Sequence, residues 1–316
     1  MGEHLKRIRI PGLVDIVTAD DPGEIESLAQ DPKLDREFSD RSIPTNGRIL
    51  QRILKILQVA GKPFPTVAPR CAQDRAEAQK SLWNRLNALA PVYSAGPDEL
   101  EELATFVRGS GAEDSCGILV QQVVGRLFTP NFQATAASWN AALVLDKALH
   151  TLDPVLMGWL DLTDQIDQAK QLLCDMVEGD LAALHAVAFA LHNIVSGVTF
   201  MRQLYCDTAS RTTLSPEAAG ARCLFAPANI LRQPTAPESS ANGELETGTL
   251  VILNLQAANA NAPDANLAFL RKTWSMCPAE QWVPALLGGV WRRAYDPQLQ
   301  DHGNSSSDAN STGLAS

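Results

Sequence analysis

Aromatic residues are scarce in this sequence, at 6% of its 316 positions, and so is positive charge: 26 Lys and Arg face 36 Asp and Glu, for a formal net charge of -10. That balance argues against a nucleic-acid-binding face and against a basic membrane patch, because phosphate backbones and anionic headgroups both select for Lys and Arg. No run of about 18 apolar residues goes uninterrupted, and the opening MGEHLKRIRIPG has no apolar core of a signal peptide. A cytoplasmic protein without a transmembrane segment is therefore expected. The six cysteines, Cys71, Cys116, Cys174, Cys206, Cys223 and Cys277, form no C-x-x-C pair and no short regular spacing. They predict reduced thiols rather than a disulfide framework or a zinc site.

What is abundant is alanine, leucine and helical periodicity, within a chain that is 45% hydrophobic. LVDIVT followed by DDPGEIESLAQD reads as strand, tight turn and helix, with Pro22 early in that helix. Gly47 to Val59 presents an apolar face, and Pro63, Pro65 and Pro69 predict an extended, exposed connector. At least five helices follow before residue 180. Gly179 to Tyr205 is the longest candidate, apolar on nearly all sides and therefore central. His185 and His192, seven residues apart, are expected to share a face of it, with Asn193 and Ser196 alongside. Carboxylate-x-x-His pairs, which a di-metal bundle needs, do not occur on these helices. A short helix at Pro216 to Leu224 precedes a strand, turn and strand ending in TLVILNLQAAN. From Asp296 the chain is mostly Ser, Asn, Asp and Gly, which predicts disorder. The whole predicts one mainly α domain with small β-sheets (α+β) over 1–295 and a disordered tail over 296–316.

One stretch carries chemical interest, FLRKTWSMCPAEQWVPALLGGVWRR, from Phe269 to Arg293. Pro278 follows Cys277, and Val283, Leu286, Leu287, Val290 and Trp291 follow at helical spacing, which predicts a thiol at a helix N-terminus. There a thiolate, the form that ligates metals and attacks electrophiles, is favoured. A buried, inert thiol ahead of an ordinary helix fits the same residues.

Taken in order, Pro216 to Leu224, FAPANILRQPTAP, ETGTLVILNLQAAN and Cys277 with VPALLGGVWRR resemble the C-terminal half of a cytochrome P450. LVDIVTADDPGEIESLAQD is similar to that family's early strand and B helix, and Gly179 to Tyr205 to its I helix. The resemblance implies a shortened P450-like helical fold and haem b, with Cys277 as the thiolate ligand of the iron and Arg232 paired with a haem propionate. It covers most of residues 12 to 293. Thr273, Ser275 and Ala279 stand where the family has glycine, a basic residue and glycine. The places of the E-x-x-R pair fall on Gly220 and Cys223, and the chain is shorter than a typical member.

The I-helix segment lacks the acid and alcohol pair of oxygen-activating members. Its HNIVSG is similar to the N-x-x-G-G of the allene oxide synthase and hydroperoxide lyase branch, whose C-[AP]-G-K-D-x-V is echoed by CPAEQWV. The resemblance implies a haem-thiolate oxidoreductase, lyase or isomerase of lipid metabolism that rearranges, cleaves or uses an organic or fatty-acid hydroperoxide. Asn193, with His192, would position the peroxide, and no redox partner would be required. A reductase-dependent monooxygenase and a haem-free binding or scaffold protein are the alternatives.

Overall fold

The computed structural model describes residues 5–65, 67–112, 114–151, 159–160, 162–240, 243–260 and 263–295. The tail predicted to be disordered lies outside the described residues. LKRIRI and VDIVTA pair antiparallel as β1 (Leu5–Ile10) and β2 (Val14–Ala19). Asp21 accepts from the Gly23 and Glu24 amides and so caps α1 (Pro22–Gln30). β3 (Leu34–Asp35) leads to α2 (Pro44–Ile56), which starts at a proline suited to a first turn. The helix expected to reach Val59 stops short, because β4 (Gln58–Val59) and β5 (Lys62–Pro63) form a hairpin whose turn residues, Ala60 and Gly61, take φ of 48° and 77°. The connector beyond it is not simply exposed: Phe64 is completely buried. Removing that ring from water anchors the segment in spite of its prolines.

The five helices expected next are α3 (Arg75–Ser94), α4 (Glu101–Val107), α5 (Ser115–Arg126), α6 (Ala136–His150) and α7 (Gln165–Met176). The long apolar segment is α8, Leu181–Cys206, and it carries a π turn at Ala186–Ala190. By length and mean hydropathy, 1.6, α8 could cross a membrane. In this fold it is a core helix, with Leu184, Leu191, Val198 and Met201 buried. After α9 (Thr208–Thr213) and α10 (Pro216–Arg222) come β6 (Ile230–Pro234), β7 (Glu238–Ser240), β8 (Gly243–Leu245) and β9 (Leu250–Leu253). The strand does not run through TLVILNLQAAN, because Asn254 caps a short helix, α11 (Leu255–Asn259). α12 (Ala265–Phe269) and α13 (Trp282–Tyr295) complete the described chain.

The main sheet runs β1-β2-β9-β6-β3, with β2 and β9 parallel and the other neighbours antiparallel. It thus joins the first strands of the chain to the hairpin that precedes Cys277. α13 packs against α3, α4 and α10. An added Cβ on Gly289 would lie 1.9 Å from the Tyr93 carbonyl oxygen, so only glycine allows α13 to approach the end of α3 this closely.

Candidate functional site

Cys277 sits in a loop braced by hydroxyls. Its amide donates to the Phe269 carbonyl at 2.8 Å, and Leu270, at φ 49°, turns the chain out of α12. Where the resemblance expects glycine and a basic residue, Thr273 Oγ1 donates to the Leu270 carbonyl and accepts from the Ser275 amide at 3.2 Å. Helical hydrogen bonding starts only at the Ala279 carbonyl, which accepts from Val283 at 2.9 Å, so Pro278 lies in a turn ahead of α13 rather than within its first turn. The Ala279 amide still favours the thiolate, but burial acts more strongly and Glu280 adds to it, so the thiol pKa is raised. The expectation of a thiolate poised by a helix end is corrected accordingly: in its protein surroundings alone Cys277 is a neutral thiol.

Around this loop the fold buries three arginines, Arg36, Arg75 and Arg232. Their guanidinium carbons lie 5.6, 4.5 and 4.9 Å from the centroid of the Trp274 ring. β6 delivers Arg232 opposite Val251, and its Nη2 donates to Ser275 Oγ at 2.6 Å. Arg75 donates to the carbonyls of Ala68 and Trp274, each at 3.0 Å. Asp35 is the carboxylate that faces the group, and it also accepts from the Arg36 and Arg70 amides. Burial, then Arg75, pushes the Arg36 guanidinium down to about 9. Burial, then Arg36, drives Arg232 well below its usual range. Arg232 Nε and Trp274 Nε1 are buried without a hydrogen-bond partner. Among the described residues, the two orphaned donors beside three buried guanidiniums are a donor set that can hold a planar group bearing more than one negative charge.

Within electrostatic reach of Arg36 lies the start of the π turn of α8. His185 packs on Phe64, with ring centroids 5.5 Å apart, and on Phe189 at 5.9 Å. Burial, then Arg36, pushes its imidazole down to about 4. His185 and Cys277 both lie deep in the protein, yet each keeps some surface that a water molecule could touch. Arg36 acts electrostatically on both.

His192 does not share the face of His185. It lies against Trp139 of α6, with ring centroids 5.3 Å apart, and its Nε2 donates to the Ala188 carbonyl at 3.2 Å. The π turn adds a residue, which rotates the later part of the helix by about 100°. Asn193, half-buried, stands one turn beyond Phe189, and its side chain has no hydrogen bond among the described residues.

At the places of the E-x-x-R pair, close packing replaces charge. A Cβ on Gly220 would lie 3.0 Å from both the Gly288 nitrogen and the Pro284 carbonyl oxygen of α13, and Cys223 is completely buried.

No protein-family model and no curated protein matches the sequence. Solved structures do. A six-coordinated cytochrome P450 from Thermus thermophilus matches with a TM-score of 0.60 at 16% identity, over 91% of this chain and 85% of its own. The chain has a cytochrome P450 fold. The P450 RauA, complexed with a biosynthetic intermediate of aurachin RE, matches with a TM-score of 0.63 at 10% identity, over 88% of this chain and 83% of its own. Cytochrome P450EX alpha, solved with myristic acid, matches with a TM-score of 0.60 at 12% identity, over 92% of this chain and 83% of its own.

Within the P450 fold, the geometry brings Cys277 and Arg232 to one loop and leaves His192 behind α8. Arg36, Arg75, Phe64 and Trp274 were missed by the sequence reading. Arg75 had a signal: a cation in the first position of a helix opposes the helix dipole and needs some other reason to be there. Arg36, in a polar stretch, had none.

Proposed function

We propose that this chain is a haem-thiolate enzyme acting on an organic or fatty-acid hydroperoxide without a redox partner. The observation that carries the cofactor is the cluster of Arg36, Arg75 and Arg232 with two orphaned donors beside Cys277. Cys277 would hold the iron, and the guanidiniums would hold the propionates. Iron binding deprotonates a coordinating thiol, which offsets the burial that raises this one. When bound, haem supplies an iron whose thiolate ligand favours O–O cleavage.

The remaining roles belong to the chain. Phe64 and Phe189 pack on each other and on His185 and would keep water from the peroxide. His185, kept neutral at pH 7 by burial and Arg36, packs beside these rings and would shape the site. Asn193 offers an amide to orient the hydroperoxide, and His192 supports the π turn from behind. The missing acid and alcohol pair on α8 favours a substrate that already carries its oxidising equivalents. The solved relative with myristic acid fits an apolar chain as substrate. Gly220 and Cys223, in place of the ionic pair, favour the second reading, a haem-free binding protein.

An absorption spectrum of the purified protein separates the two. The enzyme reading expects the long-wavelength Soret band of a reduced thiolate–carbon monoxide complex, lost in Cys277→Ala, and turnover of fatty-acid hydroperoxide without reductase or NAD(P)H. Protein that takes up no haem on reconstitution leaves the binding reading. Turnover only with a reductase makes it a monooxygenase.

A further inference from the structure

The π turn of α8 has its own support. Gln121 of α5 is completely buried, and its Nε2 donates to the Val187 carbonyl at 3.0 Å and to the Ser138 carbonyl at 3.2 Å. Its Oε1 accepts from Ser138 Oγ at 2.7 Å. Ser138 is itself fixed in the capping box that starts α6. The next carbonyl of the turn, Ala188, accepts from His192 Nε2, and the Ala142 carbonyl of α6 also faces that ring. Two successive carbonyls of the π turn are therefore held by side-chain donors tied to α5 and α6. A widened turn leaves carbonyls poorly placed for the ordinary helical ladder, and buried carbonyls need partners.

We propose that Gln121, with His192, is a positioning residue that holds the π turn open and so aims His185 and Phe189 at Phe64. The importance of that aim rests on the function proposed above. The clamp itself does not, since every bond in it lies within the protein. Without the extra residue, α8 beyond the turn would rotate by about 100°. Either His192 would then leave Trp139 or, with that contact kept, His185 would leave Phe64. Gln121 suits the task because its amide donates twice and accepts once from fixed positions, which a hydrocarbon of equal size cannot do.

The test is NMR of the purified protein, in a diamagnetic state if it carries iron. In the wild type, a scalar coupling across the hydrogen bond from the Gln121 side-chain amide to the Val187 carbonyl is expected, with ring-current-shifted His185 signals from Phe64 and Phe189. Gln121→Met, close to isosteric, should remove the His185 shifts and speed amide exchange from Leu191 to Asn193 about tenfold, the equivalent of one net hydrogen bond. Gln121→Glu, protonated when buried, keeps one donor and should restore part of the His185 shift. Unchanged His185 signals and exchange in Gln121→Met would overturn the proposal. If that variant does not fold, a missing coupling in the wild type does so alone. None of these signals requires haem, so failure of the haem reading leaves them intact.

Discussion

A guanidinium sealed from water without a full set of partners is costly, and Arg232 is completely buried with its Nε unpaired and two other arginines nearby. Under the proposed function it is a ligand contact rather than support for the fold. Arg232→Met should therefore leave the melting temperature of haem-free protein unchanged or raised, while haem dissociates faster. A large loss of stability in the haem-free variant would assign Arg232 to the core instead. His185 gives a pH signature. Its folded pKa, about 4, lies below the ordinary 6.5, so between those values the unfolded chain takes up a proton that the folded chain refuses. Stability should fall as pH drops from 6.5 to about 4, by on the order of 3 kcal/mol, and the loss should be absent above pH 6.5. Denaturant titrations of the wild type and His185→Phe across that range check this, the variant showing a flatter profile.

At the scale of elements, the tightest constraint is where α13 crosses the end of α3. Gly289→Ala would press a methyl onto the Tyr93 carbonyl and should cost about 3 kcal/mol, at the upper end for overpacking, measured by chemical denaturation. Because α13 follows directly on the Cys277 loop, haem retention should fall with it. Apolar period and capping residues made α1 and the five helices before residue 180 legible, since those signals are local. The turn inside α8 was not legible: an extra residue leaves a wholly apolar segment looking periodic, and only Gln121 and Trp139, far off in sequence, show where the helix rotates. For the same reason Asn193 and His192 could be chosen by motif while their faces could not. The β4–β5 hairpin hid behind an apolar face that runs on past Ile56.

For the molecule as a whole, the order of β6, β9, the cysteine loop and α13 was legible as a P450-like series, and the fold agrees with it over about nine-tenths of the chain. The interior charge was not, because arginines 36, 75 and 232 converge only when β3, α3 and β6 come together. The outcome is an acidic protein, of net charge -10, built around a cationic centre. Under the proposed function, that arrangement would tie the fold to haem. A dianion that neutralises the arginines binds the folded chain and not the unfolded one, so it adds stability in proportion to its supply. In a cell, quality control removes chains of marginal stability. Under the proposed function, the amount of this protein should then track the supply of haem, rising and falling with haem synthesis even at constant transcription, with the buried arginines as the gauge.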